Sequence, residues 1–232
     1  MTTLILLRHG RSSANAAGVL AGRSPGVELD ETGLQQAEKV VERLTGIPIA
    51  EIVTSPMTRC RQTVEPLAIA RELVPVVEDE FSEVDYGEWT GGTIKTLAKE
   101  PLWKVVQAHP SAAVFPGGEG LAGMQARAVA AVRAHGARIA QEHGPSAIWL
   151  ACSHGDVIKS VLADALATHL DNFQRIMVDT CSISVVHYTP TRPFVARVND
   201  LGGDVAGLIP PKPKRRRKAA PRSSDAVVGG TT

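Results

Sequence analysis

The chain has 232 residues, 44% of them hydrophobic and only 4% aromatic, enough to bury one aliphatic core and to make a single domain the default. Its net charge of +1 is unevenly spread: seven Lys or Arg and two Asp follow Asp200, which leaves 18 basic and 22 acidic residues in the body before it. Three cysteines, Cys60, Cys152 and Cys181, exclude a disulfide framework and fit a reducing cytoplasm; no secretory segment is expected ahead of Leu4, and no apolar run is long enough to span a bilayer.

In chain order, Leu4 to Leu7 predicts a buried strand that stops at Arg8, His9 and Gly10. Asp30 or Thr32 then caps a helix with Leu34, Ala37, Val41 and Leu44 at helical spacing. "IAEIVTSP" reads as a second strand. Its Ser55 is placed to cap, and Pro56 to start, a helix running to Leu73. "VPVVEDEF" reads as a third strand, Leu121 to His143 as a long Ala-rich helix, and "SAIWLACSHGD" as a fourth strand entering another helix. Ile183 to His187 and Phe194 to Val198 read as late strands. The alternation predicts an α/β fold: a three-layer α/β/α sandwich whose mostly parallel sheet carries helices on both faces. Residues 1–201 form the expected domain. Residues 202–232, with prolines and the block "KPKRRRK", are expected to be a disordered basic tail, either solubilising or weakly drawn to polyanions.

Polar groups at the carboxyl end of a parallel strand face the crevice where such sheets bind ligands. Arg8 and His9 side by side repel unless an anion lies between them, which points to phosphate or carboxylate. His154-Gly155 sits at the same strand-to-helix position, followed by Val157, Ile158, Val161 and Leu162 at helical spacing. In both corners Gly permits a tight turn and close approach by a ligand. Arg59 in "SPMTRCRQT" opens the helix after the second strand, so that all three can converge on one anion. A competing reading makes His154 a metal ligand with Cys152 and Asp156; Arg8 and Arg59 would oppose a cation there.

These motifs together resemble the histidine phosphatases, the phosphoglycerate-mutase-like superfamily. The resemblance rests on Arg8, His9, Gly10, Ser12 and Asn15; on Ser55, Pro56, Arg59, Gln62 and Thr63; on Pro116 to Glu119; and on Ser153, His154 and Gly155. It implies that His9 is the nucleophile forming phosphohistidine, and that Arg8, Arg59 and His154 surround the phosphoryl oxygens with positive charge. It also implies that Asn15 adds a neutral donor and that Glu83, in "FSEVDYGEW", is the proton donor, with Asp85 and Glu88 as alternatives on the same loop. Gly22-Arg23 matches the family's phosphate-rim loop, Glu119 a supporting position beside the pocket, and Arg11 replaces a frequent acidic residue, adding positive charge at the rim. His109, His135, His143, His169 and His187 are read as surface residues.

The implied activity is hydrolysis of a small phosphate monoester in the cytoplasm with no metal or cofactor. Between Gly92 and Gly120 there are Lys95, Lys99 and Lys104 but no arginine and no long insertion, which favours hydrolysis over a phosphomutase that must clamp a carboxylate. The mutase remains open, as does a non-catalytic phospholigand sensor. The partner is a small phosphorylated metabolite, and the family's habit of pairing leaves room for a homodimer.

Overall fold

The computed structural model describes residues 2–203. The expectations for the basic tail fall on residues almost wholly outside that range. In chain order the elements are β1 (Thr2–Arg8), α1 (Ser13–Ala17), α2 (Glu31–Arg43), β2 (Ile49–Thr54), α3 (Thr58–Arg71), β3 (Val76–Val77), α4 (Ile94–Leu97), α5 (Pro101–Ala108), α6 (Leu121–His143), β4 (Ile148–Ser153), α7 (Gly155–Ala165), β5 (Ile183–Tyr188) and β6 (Pro193–Asp200). The sheet runs β3-β2-β4-β1-β5-β6. The first four strands are mutually parallel, β5 is antiparallel to β1, and β6 is antiparallel to β5.

Alternation along the central strands makes the three layers. Leu4, Leu6, Trp149 and Ala151 pack with Val132 of α6 and Val161 of α7, whereas Ile5, Leu7, Leu150 and Cys152 pack with Val40 of α2 and Val64 of α3. Each central strand is buried on both faces, so it reads as a continuous apolar run. The pairing of β1 with β4 sets Leu7 beside Cys152 and Arg8 beside Ser153. That register brings the two His-Gly corners out at one sheet edge, next to each other.

Four local expectations are corrected. The third strand shrinks to Val76 and Val77, both exposed at the sheet edge, and the chain then bends through a single turn at Asp79–Phe81. Leu34 lies half exposed, while Gly33, Ala37 and Val40 are the residues of α2 turned inward. Ser55 does not cap α3, whose cap residue is Met57; its hydroxyl accepts from Met57 N at 3.4 Å and makes its shorter bond, 2.8 Å, with His154. His135 is not a surface histidine: its Nε2 lies 2.8 Å from Glu78 Oε2 and its ring packs 5.9 Å from Trp149. The other four histidines read as surface residues are exposed.

Candidate active site

His9 follows the last residue of β1 and is buried. Its Nδ1 donates to the Gly10 carbonyl at 2.7 Å, the tautomer that leaves a lone pair on Nε2, and Arg59 Nε donates to that atom at 3.3 Å. Burial, then the charges of Arg59 and Arg8, push the His9 pKa well below 6.5. The ring is therefore neutral at neutral pH, the form a nucleophilic imidazole requires. Gly10 itself serves packing more than ligand access: a Cβ there would lie 2.8 Å from the carbonyl oxygen of Gly33, in α2.

His154 caps the start of α7, with its ring centroid 5.2 Å from that of His9. Burial, then Arg59, His9 and Arg8, push its pKa well below 6.5, so it stands neutral in the site and does not bring the charge expected from sequence. Arg59 Nη2 lies 3.0 Å from His154 Nδ1, and since a guanidinium only donates, Nδ1 accepts. Nε2 then donates to Ser55 Oγ at 2.8 Å. Because a hydroxyl can donate as well as accept, Ser55 also supports the other tautomer, in which Nδ1–H faces the pocket.

Arg59 is buried at the second position of α3; its Nη2 also donates to the Gly22 carbonyl at 2.9 Å. Arg8 lies deeper. Its Nη1 donates to the Val178 carbonyl at 2.7 Å, and its charge is felt by His9, His154 and Glu83. The small cavity over His9 is bounded by Arg59, Gly22, Asn15, Glu83 and Tyr86 on its polar sides and by Val19, Leu20 and Ile94 on its apolar ones. Asn15 Oδ1 is used within α1, accepting from Ser12 N at 3.0 Å and Ser12 Oγ at 2.8 Å, so its amide nitrogen is what it can offer a ligand.

Glu83 lies on the segment between β3 and α4, is buried, and accepts from its neighbour's amide, Val84 N, at 3.0 Å. Oε2 is 3.8 Å from His154 Nδ1. Burial and the like charge of Asp156 raise its pKa to about 7, against the opposing pull of Arg59, the Val84 amide and Arg8. The two alternative acids stand outside the cavity: Asp85 Oδ1 accepts from Gly87 N at 3.0 Å, and Glu88 is exposed.

The metal reading fails on placement. Cys152 faces the α2–α3 layer, with Sγ 3.6 Å from the Cys60 carbonyl, while Asp156 accepts from the Tyr86 hydroxyl at 3.0 Å. Among the described residues the three do not come together as a ligand set. Arg11 adds no open charge at the rim, because it donates to Asp30 at 2.6 Å and to Thr32 at 2.9 Å.

The sequence reading missed a clamp on the acid segment. Arg23 Nε donates to the Glu83 carbonyl at 2.8 Å, and Arg127 Nη2, from α6, donates to the Ser82 carbonyl at 2.9 Å and the Glu83 carbonyl at 3.3 Å. Glu119 joins the two arginines, at 2.9 Å from Arg23 and 2.7 Å from Arg127. Arg127 lies 44 residues from Glu83 in an Ala-rich helix, with no local pattern to distinguish it from a surface arginine.

A mostly parallel sheet with two neutral histidines, buried arginines and a carboxyl of raised pKa gathered at its carboxyl edge defines an α/β enzyme built around an anion. More particularly, the chain belongs to the histidine phosphatase superfamily (branch 1), whose sequence model matches residues 4–201. It is 27% identical over 202 residues to phosphoserine phosphatase 1 of Hydrogenobacter thermophilus, covering 86% of this chain and 92% of that protein. It is 30% identical over 213 residues to "Probable phosphoglycerate mutase GpmB" of Proteus mirabilis, covering 90% and 95%. The solved structure of Bacillus stearothermophilus YhfR superposes with a TM-score of 0.77 at 27% identity, covering 86% of this chain and 98% of that one.

Proposed function

We propose that residues 1–201 form a cytoplasmic phosphatase domain that hydrolyses a small phosphate monoester through phosphohistidine on His9, without a metal. The observation that carries this reading is the pairing, in one cavity, of a neutral His9 whose Nε2 lone pair is directed at Arg59 with Glu83, an acid whose pKa lies near 7. On substrate binding Arg59 turns from Nε2 to the phosphoryl oxygens, and Arg8 lends charge from behind. His9 Nε2 forms the N–P bond as the P–O bond to the alcohol breaks, and Glu83 gives its proton to the departing oxygen. Glu83, now a carboxylate, takes a proton from water as that water attacks phosphorus and the P–N bond breaks. His154 donates Nδ1–H to a phosphoryl oxygen in the tautomer that Ser55 supports by donating to Nε2.

Transfer to water is favoured over transfer within a metabolite because the rim arginines are already committed. Arg11 is paired with Asp30 and Arg23 with Glu119, and Lys95 is exposed on α4, so among the described residues no arginine fork beyond Arg59, which is assigned to the phosphoryl group, lines the cavity to hold a substrate carboxylate. The relative named as a mutase keeps phosphomutase as the second reading. Buried free thiols at all three cysteines support the reducing compartment.

The test incubates the chain in chelator with p-nitrophenyl phosphate, glycerol 2-phosphate, phosphoserine and 3-phosphoglycerate, the last with and without its bisphosphate, following free phosphate and isomers together. Phosphate release that survives chelation and disappears in His9→Ala, with an acid-labile phosphoenzyme trapped on the wild type alone, is the expected result. Isomer formation without release would make it a mutase; ligand binding without either would leave a sensor.

A further inference from the structure

Beneath the cavity lies a buried polar group that none of the steps above uses. Asp156 and Lys159 sit three residues apart on α7, both essentially inaccessible, with Lys159 Nζ 3.7 Å from Asp156 Oδ1. Lys159 also donates to Gln174 Oε1 at 3.1 Å and lies 5.9 Å from the centre of the Phe173 ring. Removing two charges from water at so long a separation is a poor way to gain stability. The pair is better understood by what Asp156 faces. Its Oδ2 accepts from the Tyr86 hydroxyl at 3.0 Å, and Tyr86 lines the cavity three residues after Glu83, its ring edge-on to Phe115 at 4.9 Å.

We propose that Asp156 is a positioning residue for catalysis: bonded to Tyr86 and balanced by Lys159, it ties the Glu83 segment to the helix that begins at His154 and so sets the buried surroundings in which Glu83 works. The inference rests on the phosphatase reading with Glu83 as acid. Glu83 is faced by Asp156 from α7, Arg59 from α3, Arg8 from β1, His154 from the end of β4 and Tyr86 from its own segment, with Arg23 and Arg127 on its backbone. Asp156 joins burial in holding the proton, whereas Arg59 and Arg8 act to release it. Tyr86 stays a donor, since burial, Asp156 and Glu83 all raise its pKa well above 10. Burial lowers the Lys159 pKa and Asp156 restores part of it, as expected of a counterion held in place for the carboxylate.

The test compares full-length wild type with Asp156→Asn, the double variant Asp156→Asn/Lys159→Met, which leaves no unbalanced ammonium, and Tyr86→Phe. Each is assayed from acid to alkaline pH on glycerol 2-phosphate, whose alkoxide must be protonated to leave, and on p-nitrophenyl phosphate, whose phenolate leaves unaided. Both Asp156 variants are expected to move the alkaline limb of the glycerol 2-phosphate profile down by about one pH unit. At pH 7 they lose roughly fivefold in kcat on that ester, with KM and the p-nitrophenyl rate little changed. Tyr86→Phe is expected to lower kcat on glycerol 2-phosphate without moving the limb down. If Asp156→Asn does not fold, the double variant decides. A folded double variant whose limb stays at the wild-type pH overturns the role of Asp156 while leaving the phosphatase reading standing. A wild type that releases no phosphate from either ester overturns that reading, and the role of Asp156 with it.

Discussion

At the scale of single residues, the proposed mechanism depends on removing charge from the groups assigned to react and concentrating it on those assigned to bind. Burial and two arginines keep His9 neutral, and burial beside Asp156 keeps Glu83 protonated close to pH 7. The pH profile of kcat/KM for an alkyl phosphate then has a definite sign. It holds while His9 is neutral and Glu83 protonated, falls as pH rises through about 7, and has its acid limb well below 6.5. Glu83→Gln should abolish the alkaline limb and lower the rate on poor leaving groups by about 10²–10⁴-fold, the usual contribution of a general acid. A profile that still falls at pH 7 in that variant would assign the proton elsewhere. Ser55 is a finer case. Ser55→Ala removes the hydroxyl that lets His154 present either tautomer, and one lost hydrogen bond of about 1 kcal/mol corresponds to several-fold in kcat. The measurement is kcat on p-nitrophenyl phosphate in a variant whose melting temperature matches the wild type; an unchanged kcat would separate Ser55 from catalysis.

At the scale of elements, Glu83, the proposed acid, is held by segments pressed into each other. The turn at Pro116 to Glu119 lies directly against residues 85–88: a Cβ on Gly118 would come within 2.2 Å of the Asp85 carbonyl and 2.6 Å of Gly87 N, both backbone atoms with nowhere to go. Gly118→Ala should therefore push the Glu83 segment outward, costing about 1–3 kcal/mol of stability. It should also lower kcat more on glycerol 2-phosphate than on p-nitrophenyl phosphate, and equal losses on the two would mean that the turn supports the fold and not the acid. The same contact explains what could be read in advance. Arg8-His9-Gly10, Arg59 and His154-Gly155 were legible because each lies at a strand end or helix start, where local patterning fixes position. The β1–β4 register, which sequence does not print, sets the first and last of them side by side. The motif singled out Glu83, which lines the cavity, but not what it touches. Its clamp comes from Arg23 and Arg127, and its charged neighbour Asp156 reads locally as an ordinary acidic residue in a helix's first turn. Ser55 was misassigned because Ser-Pro before a helix is a standard cap, and a tertiary partner 99 residues away outcompeted the local role.

At the scale of the whole molecule, the same displaced pKa values make folding stability depend on pH, and the signs separate the contributors. Glu83 has its folded pKa raised from 4.5 to about 7, so its contribution is fully present below 4.5 and is lost as pH rises through 7, a change on the order of 3 kcal/mol. His9 and His154 have folded pKa values depressed below 6.5, so the unfolded chain takes up protons there first, and stability falls as pH drops below 6.5. Between 4.5 and 6.5 the two effects oppose one another; above 6.5 the histidines are neutral in both states and Glu83 acts alone. Glu83→Gln keeps an oxygen for the Val84 amide but has no charge to bury. Its melting temperature should match or fall slightly below the wild type near pH 5 and exceed it by several degrees at pH 8, the variant gaining stability where it has lost its acid. Thermal unfolding of both proteins at the two pH values measures this directly. Parallel pH dependences would mean that Glu83 is already a paired carboxylate at neutral pH, and the proton needed by the leaving alcohol would then have to come from another group.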